Sequence, residues 1–175
     1  MQPLAGYSRI QIVLHWAAFA FVAQQYLFKD AISAAWERAS EGIEVAFDPL
    51  VLGHIVGGAL VLGLAIWRLM LRARRGVPPQ SGSSVQKMLA RVSHLGLYAL
   101  MFLMPISGSV AWFGGVEAAA FGHNVMKVML LAFIALHVAG ALYHEARGDI
   151  FASTDDARYQ TLRAWMDGAT EINCP

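Results

Sequence analysis

The sequence is short of charge and nearly without cysteine. Only 14% of its 175 residues are Asp, Glu, Lys or Arg, against about 25% in an ordinary soluble domain. The single cysteine, Cys174, has no partner in the chain. An internal disulfide, a cysteine-held iron–sulfur cluster and a structural cysteine zinc site are therefore excluded. No Gly-rich phosphate cradle, no HExxH pair and no pair of carboxylates inside an apolar run is present. Nucleotide-phosphate chemistry, zinc-protease chemistry and a carboxylate proton relay lose their usual signatures. Internal repeats and low-complexity tracts are also missing, and the net charge is only +1. No nucleic-acid partner is expected.

What fills the chain instead is apolar. Hydrophobic residues make up 57%, and the mean hydropathy is +0.49. Four apolar runs stand out, at Ile10–Phe28, Leu50–Leu71, Met88–Phe113 and Asn124–Tyr143. Each is near the ~20 residues that a spanning helix needs. Helices satisfy their backbone groups internally, as a bilayer requires. The expected fold is all-α: an integral membrane four-helix bundle over residues 1–147, followed by a polar tail over 148–175. The tail has one candidate short helix around Arg158–Asp167. The first run is read as a span and not as a secretory signal, because it carries His15 and Trp16 and no small-x-small site follows.

The loop Lys29–Asp48 has apolar residues at Ile32, Ala35, Trp36, Ala39, Ile43 and Phe47. That spacing predicts an amphipathic helix over Ala31–Phe47 on the membrane surface, with Trp36 at the interface. Pro49 then opens the second span, where its missing N–H costs nothing. Basic residues orient the molecule. Arg9, Arg68, Arg72, Arg74, Arg75, Lys87 and Arg91 fall on one side, joined by Arg147, Arg158 and Arg163. Lys29, Arg38, Lys127 and most acids fall on the other. The positive-inside rule makes both termini cytoplasmic. In a bacterium the first loop is then periplasmic, the location is the inner membrane, and lipid is the first partner.

Orientation gives each histidine a depth. His54 and His123 lie near the periplasmic end, and His15, His94 and His137 on the cytoplasmic half. His144 sits at the cytoplasmic rim. His123 and His137 are fourteen residues apart on one helix, which places them on one face about 21 Å apart at ~1.5 Å per residue. Imidazole inside a membrane is uncommon and usually functional. Depth alone pairs His54 with His123 and His15 with His137. Such pairs, on different helices, suit bis-imidazole haem ligation at two levels of a bundle. His94 shares the depth of His15. It either replaces His15 as ligand or bonds a haem propionate, and Arg91 one turn away favours the second. The glycines around His54, namely Gly53, Gly57, Gly58 and Gly63, leave room for close approach of a backbone or a flat ring. Gly96, Gly108 and Gly140 have the same character on the later spans. Lys127 either snorkels to headgroups or makes an electropositive entry for a small anion.

A resemblance joins these residues. Tyr7-Ser8-Arg9-Ile10-Gln11-Ile12-Val13-Leu14-His15-Trp16, His54-Ile-Val-Gly-Gly, Trp67-Arg68, Ser93-His94-Leu-Gly-Leu-Tyr and Pro105-Ile-Ser-Gly108 appear in that order. His123-x13-His137-x6-His144 closes the pattern. Together they resemble the bacterial cytochrome b-561 family, which groups with hydrogenase-type b cytochromes. The resemblance covers residues 7 to about 147. It implies a di-haem membrane cytochrome with two b haems, ligated by His15 with His137 and by His54 with His123. One member type oxidises periplasmic superoxide and passes electrons to ubiquinone. Other relatives are anchors that carry electrons from hydrogenases or dehydrogenases to quinone. The third-to-fourth loop is shorter here and the tail differs, which leaves the donor open.

The expected function is electron transfer between a periplasmic-side donor, superoxide or a redox protein, and the quinone pool. His94, His144 and Arg9 form the expected propionate and quinone region. Lys127 and Arg38 give the periplasmic face positive potential. The rival is a cytochrome b anchor subunit of a larger complex, and a homodimer is the alternative assembly. A haem-free metal transporter would want the intramembrane carboxylates that this chain lacks.

Overall fold

The computed structural model describes residues 8–76, 83–146 and 162–163, with the side chains of 144–146 outside the description. Five helices form: α1 (Arg9–Leu27), α2 (Lys29–Ser40), α3 (Pro49–Arg75), α4 (Ser84–Gly114) and α5 (Glu117–Ala146). Four of them, α1, α3, α4 and α5, are long and apolar enough to cross a membrane. No strand occurs among the described residues. The expected four-helix membrane bundle is therefore the observed architecture. The helix expected over Arg158–Asp167 lies outside the described residues, apart from helical Leu162 and Arg163.

The helix ends follow local chemistry. Ser8 and Gln11 form a capping box that opens α1, and Ser83 with Gln86 repeats it on α4. Each box satisfies two backbone donors that the first turn would otherwise leave unpaired. Asp48 Oδ1 accepts from the Leu50 N–H at 2.7 Å, and Pro49 follows in the first turn of α3. Arg72, Arg74 and Arg75 occupy the last turn of α3, where cations complement the helix dipole. Glycines at positive φ end two spans: Gly76 at φ 72° and Gly115 at φ 64°.

The surface helix differs from its expected length. It starts at Lys29, directly after α1, and stops at Ser40 instead of reaching Phe47. The cause is Gly42, at φ 73°. Gly42 N–H donates to Ala39 O, and Ile43 N–H donates to Arg38 O. That pair of bonds is a Schellman ending. Ile43 and Phe47 thus fall outside the helix. Trp36 is half-buried, with its side chain lining a cavity in the bundle.

The spans pack unevenly. α4 lies closest to α5 and α1 closest to α3, and α3 with α4 joins the two pairs. α1 and α5 are not closely packed. At the α2 end, Tyr26 OH bridges them by donating to the Lys127 carbonyl at 2.7 Å. Small residues let the close pairs approach. A Cβ on Gly57 would meet Gln25 Nε2 of α1, so a larger residue there must displace the end of that glutamine side chain. The central cluster takes one buried residue from each span: Val22, Val61, Leu100 and Leu130. Val61 stands seven residues after His54, and Leu130 stands seven after His123 and seven before His137. Seven residues are about two turns, or ~10 Å. The cluster is an aliphatic layer midway between two levels of histidines, and it also lines the larger cavity described below.

Candidate functional site

Side chains from all four spans line two cavities. The larger, toward the α2 end, is about 550 Å³. The smaller, toward the end that carries the arginines of α3, is about 310 Å³. Both sizes suit a small-molecule or cofactor site. They are called the outer and inner cavities below.

His54 of α3 and His123 of α5 both line the outer cavity. α4 runs behind His123. His123 Nδ1–H donates to the Met104 carbonyl at 3.0 Å and lies 3.2 Å from Ser107 Oγ. The opposite nitrogen, Nε2, is left with its lone pair. Metal-ligating histidines almost always have this arrangement, with the non-ligating N–H held by a backbone or carboxylate oxygen. A Cβ on Gly108 would lie 3.2 Å from His123 Cε1, so this glycine gives the imidazole its room. His54 Nδ1 and Gln25 Nε2 are buried without a hydrogen-bond partner, and both residues line this cavity. Buried polar atoms are normally paired, so two orphans in one wall fit a site built for an occupant. The wall is otherwise largely apolar. Lys127, half-buried, is also part of it, with Nζ donating to Asn124 Oδ1 at 2.9 Å. Lys29 lines it too and forms an ion pair with Asp30. Arg38 is exposed on α2 and is not part of the lining.

The inner cavity gathers His15, His94, His137, Arg68, Arg72 and Tyr98. The rings of His15 and His137 have centroids 6.1 Å apart, tilted at 54°. Two metal–nitrogen bonds of ~2 Å each occupy about 4 Å of that span. The remaining ~2 Å is about the sum of two half-rings. One metal atom therefore fits between them. His94 and His137 are closer, with centroids at 4.9 Å and rings at 87°. That spacing is too short for a metal held in line between the two. His94 Nδ1–H donates to the Ala90 carbonyl, one turn back, at 2.6 Å. Arg68 Nη1 donates to His15 Nδ1 at 3.0 Å. Among the described residues no acidic side chain lines this cavity, so Arg68 and Arg72 give it a positive wall. The inner histidine pair has the spacing for one metal between two imidazoles beside a positive wall, and the outer cavity has histidines of two different helices in its lining.

Each expected site residue has a definite place. His54 and His123 share the outer cavity, and His15, His94 and His137 share the inner one. Arg9 is exposed in the first turn of α1, and Gln11 of that turn lines the inner cavity. The backbone of His144 belongs to α5, but its side chain lies outside the described residues. Arg91 is exposed and is not in the inner lining. The glycines divide. Gly58 and Gly108 line the outer cavity. Gly53 and Gly57 are filled by side chains of Gln24, Gln25 and Phe28, and Gly96 by Phe133. These three serve helix packing.

Sequence reasoning did not single out Arg68, Arg72, Tyr98, Gln25 or Ser107 as site residues. A signal existed for two of them. Arg68 follows His54 by fourteen residues and Tyr98 follows His94 by four, so each shares a helix face with a histidine. For Arg68 the signal was absorbed by the positive-inside rule, which explains any arginine at that end. Ser107 matters only through the fold that brings α5 against α4.

A family model described as prokaryotic cytochrome b561 matches residues 6–153. The chain is also similar to a protein named cytochrome b562 from Cereibacter sphaeroides. The two are 36% identical over 143 residues, which is 80% of this chain and 87% of the relative.

Proposed function

The chain belongs to the prokaryotic cytochrome b561 family, and from that premise we propose that it carries electrons across the bacterial inner membrane through two b haems. It is a multi-pass membrane protein, and haem-b transmembrane electron transfer is the activity of its family. In this reading His54 and His123 hold the outer haem, and His15 and His137 hold the inner one. Bound haem would supply a one-electron iron centre, held at each level by a pair of histidines.

The chain's own side chains set the rest. Met104 O fixes the tautomer and plane of His123. Arg68 and Arg72 at the inner cavity would hold the anionic groups of a haem bound there. Val22, Val61, Leu100 and Leu130 keep water out of the space between the two levels. Lys127 at the outer cavity attracts a small anion such as superoxide, or an acidic redox protein, as electron donor. A quinone accepts electrons at the inner end, near Arg9 and His144.

The observation that carries the reading is the His15–His137 pair at 6.1 Å, on helices that are otherwise not closely packed. The test is a pyridine haemochrome assay with reduced-minus-oxidised spectra on the purified chain. Two low-spin b haems per chain are expected, and one or none would overturn the two-haem reading. His123→Ala should remove the outer haem and leave the inner one. Retention of both haems would remove His123 from ligation.

A further inference from the structure

Among the described residues, His94 is the one histidine of the inner cavity that the two ligand pairs leave without a task. Its geometry restricts what it can do. The centroid distance to His137, 4.9 Å, excludes it as the axial partner across a metal. Its Nδ1–H is committed to the Ala90 carbonyl at 2.6 Å. A neutral imidazole has one N–H and one lone pair, so Nε2 of His94 accepts and does not donate. That makes it a poor partner for a carboxylate, a role that Arg68 and Arg72 fill from the same cavity.

What an accepting nitrogen can receive is an N–H. A ligating histidine carries one on the nitrogen that does not face the metal, and that proton normally has an acceptor. For His123 the acceptor is the Met104 carbonyl. Among the described residues His137 has no hydrogen-bond partner in protein, and its ring neighbours are His15 and His94. His94 stands perpendicular to it at 87°. The polar groups that line the cavity with this pair are His15 and Gln11 of α1, Arg68 and Arg72 of α3, and Tyr98 on the same helix as His94. None of the charged ones is an acceptor.

We infer that His94 is the positioning residue for His137. Held by Ala90, its ring fixes the plane of the His137 imidazole. Its free Nε2 takes the His137 N–H while the other nitrogen of His137 coordinates. The chain of contacts is then Ala90 carbonyl, His94, His137 and the inner haem, matching Met104 carbonyl, His123 and the outer haem. An imidazole whose N–H is accepted is a more basic ligand. It favours the oxidised iron and lowers the potential of that haem. The potential of the inner haem is thereby set in part by a side chain that does not ligate it.

This inference rests on His137 being an inner-haem ligand. The test uses the full two-haem protein in detergent and compares His94→Phe, which keeps a ring without nitrogen, with His94→Gln, which keeps an acceptor. Haem content, potentiometric titration and low-temperature electron paramagnetic resonance are measured on each. The inner signal is the one that persists in His123→Ala. Both variants should keep two haems. His94→Phe should raise the inner midpoint potential and shift the inner g values, leaving the outer signal in place, and His94→Gln should restore part of the shift. An unshifted potential and unshifted g values in His94→Phe would overturn the inference and reduce His94 to packing. Loss of the inner haem in both variants would also overturn it, by making His94 a ligand. His137→Ala separates the two levels: if the inner haem survives that change, the ligand assignment itself has failed.

Discussion

Arg68 donates to His15 Nδ1 at 3.0 Å, and a neutral imidazole that accepts at Nδ1 carries its proton on Nε2. Coordination through Nε2 needs the opposite tautomer. When His15 ligates, the guanidinium must therefore turn to another acceptor, and no acidic side chain of the described chain lines that cavity. The carboxylates of the cofactor are the acceptor that remains. A hydrogen bond to a charged group contributes about 1.5–3 kcal/mol, and 1.4 kcal/mol is tenfold in affinity. Arg68→Met keeps the stem and removes the charge. The inner haem should then bind at least about tenfold more weakly by that scale, and its potential should fall because a nearby cation stabilises the reduced form. Titration of haem-depleted protein with haem, followed by potentiometry, checks this; equal affinity and potential would remove Arg68 from the site. At this scale the histidines were legible in the sequence because a membrane makes each imidazole conspicuous. Arg68 was not, because an arginine at that end has a second, sufficient explanation.

Helices, taken whole, explain why some patterns read correctly and others did not. The glycines around His54 looked like one smooth patch. Two of them, Gly53 and Gly57, meet Gln24, Gln25 and Phe28 of α1, and Gly63 meets nothing within 4 Å. A run of small residues does not tell which side faces a neighbour and which faces a cavity. The surface helix was placed by its apolar spacing, yet Gly42 ends it early, a local signal that outranks the continuing pattern. Conversely, the seven-residue steps His123–Leu130–His137 and His54–Val61–Arg68 were present all along. Only the packing shows that their midpoints meet in one layer with Val22 and Leu100. That layer yields a prediction. Leu130 is 5% exposed, and Leu→Ala in a packed interior costs about 2–5 kcal/mol. Leu130→Ala should lower the thermal midpoint, followed through loss of the haem Soret band, with both haems present at the start. A change below about 0.5 kcal/mol, the range of a neutral surface substitution, would mean that the layer does not bear on stability.

The molecule as a whole has a small buried interior for its length. Buried apolar residues are few among those described, and many large ones face outward, as lipid permits. In a bilayer, lipid tails are as apolar as leucine, so helices gain little from hiding apolar surface and rely on close packing and polar contacts. The α4/α5 and α1/α3 pairs have close packing. The α1/α5 seam does not. It is bridged by Tyr26 OH on the Lys127 carbonyl at one end and by the His15–His137 approach at the other. A haem ligated by that second pair would act as a cross-link between two helices that otherwise barely meet. A ligand that binds only the folded form stabilises it by about 4 kcal/mol at a thousandfold excess over its Kd, and here the effect should be local. In haem-depleted protein the inner half of α1 should exchange its amide hydrogens faster, and the middle of α4 and α5 should keep its protection. His15→Ala in otherwise haem-loaded protein should reproduce the faster exchange in α1, and His123→Ala should not, because Tyr26 still holds the outer end of that seam. Hydrogen exchange read by mass spectrometry in detergent micelles measures both. If α1 is equally protected with and without haem, the seam is held by protein contacts alone.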